Sequence, residues 1–310
     1  MVRRQGAFWI LGIAWWAGAV LVASRAWANA PLHIDLYGNL SKGCRTEPLP
    51  VSLESLRHRW TTLETEDPNF PTQGPDTYRG VYLDGLLEEF GVAPDAQITL
   101  LAEDQYLVAM PRSRFAEMKA FLAFERGGKP IPPMTGGPIK IVFPRDSRAD
   151  FSAYLWYVKA IWVGDACGGS LEVRDAAGRA HPYTFPTSKK KLIFKRIPTA
   201  VPKGYREGWA SPPTFSQVSG LWLRDVLGGH PSGAYAVEFI PYVGKSLHLP
   251  WKLAERLPIL IVNGCNGQPV PVAFGGPLWV LLPTAEYGEL AQWVGETSAL
   301  FFLKAVRLHP

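Results

Sequence analysis

Residues 128–144 read GKPIPPMTGGPIKIVFP, and residues 267–283 read GQPVPVAFGGPLWVLLP. The two segments align without a gap at an offset of 139 residues, and the seven identities among their 17 positions are all glycine or proline. Glycine permits a positive φ and proline restricts φ, so these identities mark a backbone path rather than a set of reactive groups. The sequence therefore predicts that one turn framework occurs twice in this chain.

Shorter matches flank the two segments in the same order. GVYL at 80–83 corresponds to GLWL at 220–223, and KAI at 159–161 corresponds to KAV at 304–306. We therefore predict two homologous units, residues 31–166 and residues 170–310, joined through Gly168-Gly169. The residues predicted to set the turns are Gly80, Gly136, Gly137 and Pro138 in the first unit and Gly220, Gly275, Gly276 and Pro277 in the second.

Each unit is predicted to be α+β, with mixed β-sheets and short helices. The chain of 310 residues holds 30 glycines and 28 prolines, which favours short elements joined by turns. Leu83, Leu86 and Leu87 have helical spacing, and Gly91 ends that helix. A second helix is predicted over residues 114–125. Strand-like segments outnumber helical ones without a regular alternation of strand and helix, which argues against a parallel α/β fold.

The N-terminus is typical of a secretory signal peptide. Arg3 and Arg4 precede an uncharged apolar run at 7–23, and Ala-Trp-Ala at 26–28 supplies a small-residue cleavage site. We predict a signal peptide over residues 1–28, cleaved after Ala28, and a periplasmic or secreted protein. The alternative is an uncleaved helix that anchors the chain in the inner membrane, since the run approaches the length of about 20 residues that spans a bilayer.

The positive charge lies partly in that leader. The net charge is +5, from 32 basic and 27 acidic residues, and residues 1–28 contribute three arginines and no acid. The remaining chain is close to neutral, which argues against the clustered basic charge that nucleic-acid binding requires. The partner is therefore expected to be a small ligand or a periplasmic protein, with a membrane involved only if residues 7–23 are retained.

Three motifs of the first unit occur in a defined order. GVYL at 80–83 is followed by AEDQY at 102–106 and then by GGPIKIVFP at 136–144. This order resembles the oxidoreductase molybdopterin-binding domain, which has the sulfite oxidase fold. The second unit keeps the Gly-Leu-x-Leu and Gly-Gly-Pro motifs but reads IPYVGK at 240–245, where the first unit has its acid and tyrosine. The resemblance implies two tandem sulfite-oxidase-like domains.

In the catalytic members, the resemblance implies molybdenum held by the pterin dithiolene and one protein cysteine, because a soft thiolate suits that metal. The cysteine falls in the strand before the loop that leads to GVYL. Here the two matching regions read WTTLET at 60–65 and LIFKR at 192–196, without cysteine, and no basic cluster for the pterin phosphate is found. We therefore expect a retained fold without the molybdopterin cofactor. A molybdopterin-dependent oxidoreductase with an atypical metal ligand is the alternative.

The cysteines and histidines give weaker signals. Three cysteines allow three pairings in an oxidising compartment, and Cys44–Cys167 is favoured over the pairings with Cys265 because it would join the two ends of the first unit. The sequence has no Cys-x-x-Cys or Cys-His spacing, and no two of its six histidines lie at metal-ligand spacing. No metal site is predicted.

Asp104 and Tyr106 are the best polar candidates for a ligand site, although a turn acid and a strand aromatic would give the same pattern. Arg112, Arg145 and Asp146 follow neighbouring strand ends and are expected to line the same opening. No catalytic residue is assigned. The favoured function is an exported, non-catalytic protein that binds a small ligand or a partner. The alternatives are a molybdopterin-dependent oxidoreductase and a structural subunit of a periplasmic or membrane-associated assembly.

Overall fold

The computed structural model describes residues 32–69, 74–165, 167, 170–186, 191–208, 212–228, 233–295 and 298–310. The predicted signal peptide at 1–28, the apolar run at 7–23 and the predicted joint at Gly168-Gly169 lie outside the described residues. Within the described ranges, no helix has both the length and the apolar character needed to span a membrane.

We call residues 32–165 the first half and residues 170–310 the second half. The strands described in the first half are β1 (His33–Leu40), β2 (Gly43–Ser52), β3 (Thr61–Thr65), β4 (Asp76–Tyr82), β5 (Gln97–Ala102), β6 (Leu107–Pro111), β7 (Phe121–Arg126), β8 (Lys129–Pro130), β9 (Lys140–Val142) and β10 (Val158–Val163). Its α-helices are α1 (Leu83–Glu89) and α2 (Arg112–Glu117).

The second half has a similar succession of elements. Its described strands are β11 (Ser170–Arg174), β12 (Ala180–Thr184), β13 (Ile193–Pro198), β14 (Gly204–Arg206), β15 (Phe215–Trp222), β16 (Ala236–Pro241), β17 (Leu247–Pro250), β18 (Leu260–Cys265), β19 (Gln268–Pro269), β20 (Trp279–Leu281), β21 (Ala299–Leu300) and β22 (Leu303–His309). Its α-helices are α3 (Leu223–Val226), α4 (Trp251–Ala254) and α5 (Ala291–Val294).

The strand orders of the two halves correspond. The order β6-β5-β10-β1-β2 forms a mixed sheet in the first half, and β17-β16-β22-β11-β12 has the same order in the second. β1 pairs with β10 in parallel, and β11 pairs with β22 in parallel. The other two sheets are built on β3-β4-β7 and β13-β15-β18. Several sheets with few, short helices agree with the predicted α+β class.

The predicted helix over residues 114–125 is wrong in its extent. α2 ends at Glu117, and Lys119 then has a φ of 53°, a left-handed conformation that cannot continue a helix. The chain continues as β7, whose first four residues are all buried. An apolar run buried on both faces of a sheet has no alternation of apolar and polar residues, so local spacing does not distinguish it from a helix.

Gly80 and Gly220, which were predicted as turn residues, lie inside β4 and β15. A Cβ atom on Gly80 would lie 2.0 Å from the carbonyl oxygen of Leu122, and one on Gly220 would lie 2.0 Å from the carbonyl oxygen of Ile261. The strand register shifts at both positions. These two glycines therefore permit a close approach of neighbouring strands rather than a turn.

The Gly-Gly-Pro segments form turns with the same backbone in both halves. Gly136 and Gly275 end short 3-10 helices with φ values of 92° and 93°, in the left-handed region that glycine adopts readily. The peptide bond after the second glycine is cis in both, at Gly137-Pro138 and Gly276-Pro277.

The two halves pack against each other through an apolar cluster. The first half contributes one face of its mixed sheet, with Tyr37, Leu101, Leu107, Ala109, Ala160 and Trp162. The second half contributes a turn and its Gly-Gly-Pro region, with Tyr242, Val243, Val272, Ala273, Phe301 and Phe302. In addition, β14 pairs in parallel with β6, so one strand crosses the predicted boundary between the units. The contact is heterologous, because each half uses a different surface.

Cys44 and Cys167, the pairing that the sequence favours, are joined by a disulfide, with their Cα atoms 5.5 Å apart. Cys44 lies near the start of β2, and Cys167 follows β10. Both strands belong to the first mixed sheet, where β1 separates them. Cys265, at the end of β18, is a free thiol.

Candidate functional site

A cavity of about 260 Å³ opens where the end of β5 meets the segment before β10. We call it the aromatic opening. Its lining residues are Asn69, Asp104, Tyr106, Phe151, Ser152, Tyr154, Leu155, Trp156 and Tyr157. The structure thus places two of the predicted site residues, Asp104 and Tyr106, in one opening.

Asp104 and Tyr106 are held by the turn between β5 and β6. The Asp104 Oδ1 atom accepts a hydrogen bond of 3.0 Å from the Tyr106 backbone N–H, which is an Asx turn. Gln105, between them, has a φ of 68°. The Tyr106 hydroxyl donates to the carbonyl oxygen of Ser152 at 3.1 Å. This turn directs both side chains towards the aromatic opening.

The pKa of Tyr106 is raised, first by its burial and then by the negative charge of Asp150. Arg206 acts in the opposite direction, and Asp104 adds to the increase. The phenol therefore stays protonated at neutral pH. It can donate its hydrogen bond to Ser152 but offers no anion to a metal.

Trp156 and Tyr157 form the wall of the opening next to the Gly-Gly-Pro turn. The Tyr157 backbone N–H donates to the carbonyl oxygen of Gly136 at 2.9 Å, and Tyr157 has a φ of 54°. A Cβ atom on Gly136 would lie 2.6 Å from the Trp156 ring. Glycine is therefore needed at this turn so that the indole of Trp156 can pack directly over the backbone.

A buried ion pair lies behind Trp156. Lys140, on β9, donates to Asp67 and also to the carbonyl oxygen of Thr135 at 3.1 Å. Its Nζ atom lies 5.3 Å from the centre of the Trp156 ring. Burial lowers the pKa of Lys140, and the contact with Asp67 acts against that decrease. The ion pair holds the loop after β3 against the Gly-Gly-Pro turn.

Arg112, Arg145 and Asp146 do not line the described part of the opening. Arg112 is buried in α2, where it donates to Asp84 at 2.7 Å and to the carbonyl oxygen of Val92, so it joins α1 to α2. Arg145 is exposed and forms an ion pair of 3.2 Å with Glu66. Asp146 is exposed beside it. Following a strand end was therefore not enough to place these three residues in the lining of the opening.

The corresponding region of the second half is closed. Val243 stands in the turn where the first half has Asp104, and Phe301 and Phe302 stand where it has Trp156 and Tyr157. The backbone contact is the same, because the Phe302 N–H donates to the carbonyl oxygen of Gly275 at 2.7 Å. All three side chains belong to the apolar cluster between the halves. Among the described residues, the second half therefore uses this region for packing, whereas the first half presents an opening there.

The model of the oxidoreductase molybdopterin binding domain family matches residues 55–155. The matched segment includes GVYL, the Asp104 turn and the first Gly-Gly-Pro turn, and it ends just before Trp156. This segment is therefore similar to the oxidoreductase molybdopterin binding domain family. The family description mentions molybdopterin, but whether this chain can bind that cofactor depends on its own residues.

One solved structure similar to this chain is the sulfane dehydrogenase SoxCD from Paracoccus pantotrophus. The two share 15% sequence identity over 88% of this chain and 74% of that chain, with a TM-score of 0.33. At this TM-score the match does not establish a shared fold. No curated protein matches the sequence.

The residues of the aromatic opening do not fit molybdopterin. None of its described lining residues is a cysteine, lysine or arginine. Cys44 and Cys167 are bonded to each other, and Cys265 lies on β18 of the second half. A molybdenum centre of this class needs a thiolate, and a pterin phosphate needs converging cationic donors. Asp104 would instead repel the phosphate.

Two nearby cations, Lys140 and Arg206, are already engaged. Lys140 is paired with Asp67 behind Trp156. The Arg206 guanidinium donates to the carbonyl oxygens of Ala273 at 2.5 Å, Pro202 at 2.7 Å and Gly204 at 3.3 Å. Binding a phosphate with either side chain would break these buried interactions, which costs more than an ordinary surface hydrogen bond returns.

Proposed function

We propose that this chain is an exported, non-catalytic protein of the molybdopterin-binding fold, in which the first half binds a small neutral or cationic ligand in the aromatic opening. The observation that carries the proposal is the lining of that opening. Four tyrosine or tryptophan side chains surround it with one carboxylate, Asp104, and its described lining has no thiol and no cation. Such a lining favours aromatic stacking and cation–π contacts and disfavours an anion.

The second half supports this function as a scaffold in our proposal. Its corresponding turn covers the sheet face of the first half, and β14 extends the first mixed sheet at β6. The matching strand orders and the two Gly-Gly-Pro turns support an origin as two copies of one unit, about residues 31–166 and 170–310. In this proposal the first copy has the ligand-binding opening, and the second copy packs against the first and stabilises it.

Export is proposed on two grounds. The first 28 residues have the composition of a signal peptide, with a basic start, an apolar run and a small-residue cleavage site. The Cys44–Cys167 disulfide is typical of a protein that folds in an oxidising compartment such as the periplasm.

Metal analysis of the mature protein, purified from its own host, tests the absence of redox chemistry. We expect molybdenum far below one atom per chain and no pterin released on denaturation. Stoichiometric molybdenum would overturn the proposal and favour an oxidoreductase with an atypical ligand. Sequencing of the mature N-terminus belongs to the same preparation, since a start at Asn29 excludes a retained anchor.

Native mass spectrometry of that preparation tests ligand binding. We expect a retained small molecule that is lost in Asp104→Asn, because this change removes the charge but leaves an oxygen that accepts the hydrogen bond from Tyr106. Asp95→Asn, at an exposed acid outside the opening, is the matched control and should keep the ligand. Equal retention by both variants would place the ligand elsewhere.

A further inference from the structure

The second mixed sheet carries a cluster of one carboxylate and two imidazoles that the proposed function does not use. Glu238 lies on β16, the strand between β17 and β22. His248 is its direct cross-strand partner on β17. His309, near the end of β22, pairs with Ala236, two positions from Glu238 and therefore on the same face of the sheet. Three strands thus bring one potential ligand each to one place.

The distances between these groups resemble those around a bound ion. The His309 Nε2 atom lies 3.0 Å from Glu238 Oε2, and the His248 Nε2 atom lies 3.5 Å from Glu238 Oε1. All three ligand atoms lie within 4.8 Å of one another. In a tetrahedral site with bonds of about 2.0–2.2 Å, neighbouring ligand atoms lie roughly 3.3 Å apart. The two Glu–His distances already fall near that value, and the two imidazoles need only a small rotation towards each other.

The surroundings leave room for an ion and for water. Glu238 has 11% of its side chain exposed, whereas His248 and His309 have 57% and 37% exposed. Val237 and Phe239, on either side of Glu238, are fully buried in the core and fix the strand. The carboxylate is therefore held rigidly at the base of the cluster, and the imidazoles close over it from the solvent side.

Two further side chains compete with an ion for Glu238: Ser246, which forms a hydrogen bond with its carboxylate, and Arg307. The Arg307 guanidinium donates to Glu238 Oε2 at 3.3 Å, the same oxygen that His309 contacts. Because the Arg307 side chain is 36% exposed, it can turn towards solvent when an ion takes its place. Its positive charge weakens the binding of any cation, and this effect can be measured.

The repeated framework does not account for the cluster. In the first half, Thr99 on β5 pairs with Ala109 on β6, as Glu238 pairs with His248 in the second half. Ala109 there lies in the apolar cluster between the halves. Glu238 and His248 therefore have no charged or ligating counterparts at the matching positions of the first half.

We propose that Glu238, His248 and His309 form a binding site for a divalent first-row transition-metal ion, with a solvent molecule as the fourth ligand. Two imidazoles and one carboxylate suit zinc, and copper(II) and nickel(II) bind the same donor types. The site lies outside the family match at residues 55–155, so it stands independently of the proposed ligand-binding function.

Calorimetric titration of the mature, untagged chain with Zn²⁺, after removal of metal with a chelator, tests the site. We expect one equivalent to bind with a dissociation constant below about 1 mM. His248→Ala and His309→Ala should each weaken binding by at least about tenfold, because each removes one of three protein ligands. His181→Ala is the matched control, since His181 lies 3.8 Å from Asp175 without a second histidine in that contact, and it should bind as the unmodified chain does.

Two further measurements keep the test decisive. Arg307→Ala should bind Zn²⁺ as tightly as the unmodified chain or more tightly, because it removes a competing cation. Anomalous diffraction at the zinc edge should place the ion between the three side chains even if a variant folds poorly. An ion at another position, unchanged binding in both histidine variants, or no binding below 1 mM would each overturn the proposal.

Discussion

The buried ion pair between Lys140 and Asp67 provides the sharpest test of the first half's structure. Asp67→Asn removes the negative charge while keeping an oxygen at Oδ1, which accepts hydrogen bonds of 3.0 Å from the backbone and side-chain nitrogens of Asn69. The variant therefore leaves the loop contacts in place, and opposite Lys140 it removes the negative charge together with the hydrogen-bond acceptor at Oδ2.

The expected cost follows from burial. The side chains of Lys140 and Asp67 are 1% and 2% exposed, so solvent screens their interaction very little. Removing one partner of such a pair leaves an uncompensated buried charge and costs about 3–5 kcal/mol. The exposed pair of Arg145 and the neighbouring Glu66 is the matched control, and Glu66→Gln should cost less than about 1 kcal/mol.

The free energy of unfolding that Asp67→Asn removes should also depend on pH. Burial lowers the pKa of Lys140 from its ordinary value of 10.5, and Asp67 acts against that decrease. Between the folded-state pKa and the unfolded value, the unfolded chain binds more protons, so the free energy of unfolding rises with pH. Asp67→Asn should lower the folded-state pKa of Lys140 further. The free energy of unfolding of the variant therefore begins to rise at a lower pH than that of the unmodified chain. The difference between the variant and the unmodified chain should therefore shrink as pH increases.

Urea unfolding at several pH values, followed by circular dichroism and tryptophan fluorescence, measures these quantities. The double variant Asp67→Asn/Lys140→Met removes both charges and should recover most of the lost free energy of unfolding. The reasoning is refuted if Asp67→Asn costs no more than Glu66→Gln at neutral pH. It is equally refuted if the double variant is less stable than the single one.

Two more predictions concern the framework of the first half. Gly137→Ala should lower the melting temperature by several degrees or prevent folding, because its Cβ atom would lie 1.9 Å from the carbonyl oxygen of Ile131, whereas Gly288→Ala, with nothing within 4 Å, should melt close to the unmodified chain. Replacing Cys44 and Cys167 by serine should lower the free energy of unfolding by about 2–4 kcal/mol, because the disulfide closes a loop with a sequence separation of 123 residues. An unchanged midpoint in a urea titration would contradict the second prediction.

Much of the fold could be predicted from sequence because glycine and proline residues set its repeated turns. At Gly136, the first glycine of the turn, φ is 92°, a value that few residues other than glycine adopt. The glycine pattern is therefore the same in both halves, although the neighbouring side chains differ. Gly80 shows the limit of this signal. The internal match between the two halves located the glycine correctly but could not distinguish a turn from the close approach of two strands, which depends on a partner strand far along the chain.

The candidate site was accessible only in part. Asp104 and Tyr106 are neighbours in sequence and share one turn, so local spacing placed them together. Lys140 and Asp67 are separated by 73 residues and have no local relation. The pairing of His248 with Glu238 likewise arises only when β17 pairs with β16. A spacing rule for histidines could not find it, because strand pairing rather than sequence distance sets the contact.

The heterologous contact between the halves explains why they differ in chemistry. The turn of the second half covers a sheet face of the first, whereas the described lining of the aromatic opening, beside the first half's own turn, comes from the first half alone. The corresponding sheet face of the second half carries the partly exposed side chains of His248 and Arg307. There Arg307 and His248 replace Trp162 and Ala109. We expect the charge on that face to disfavour the addition of a further copy by the same contact, which would continue as an open chain. The aromatic opening and this sheet face thus carry the two candidate binding sites of the chain.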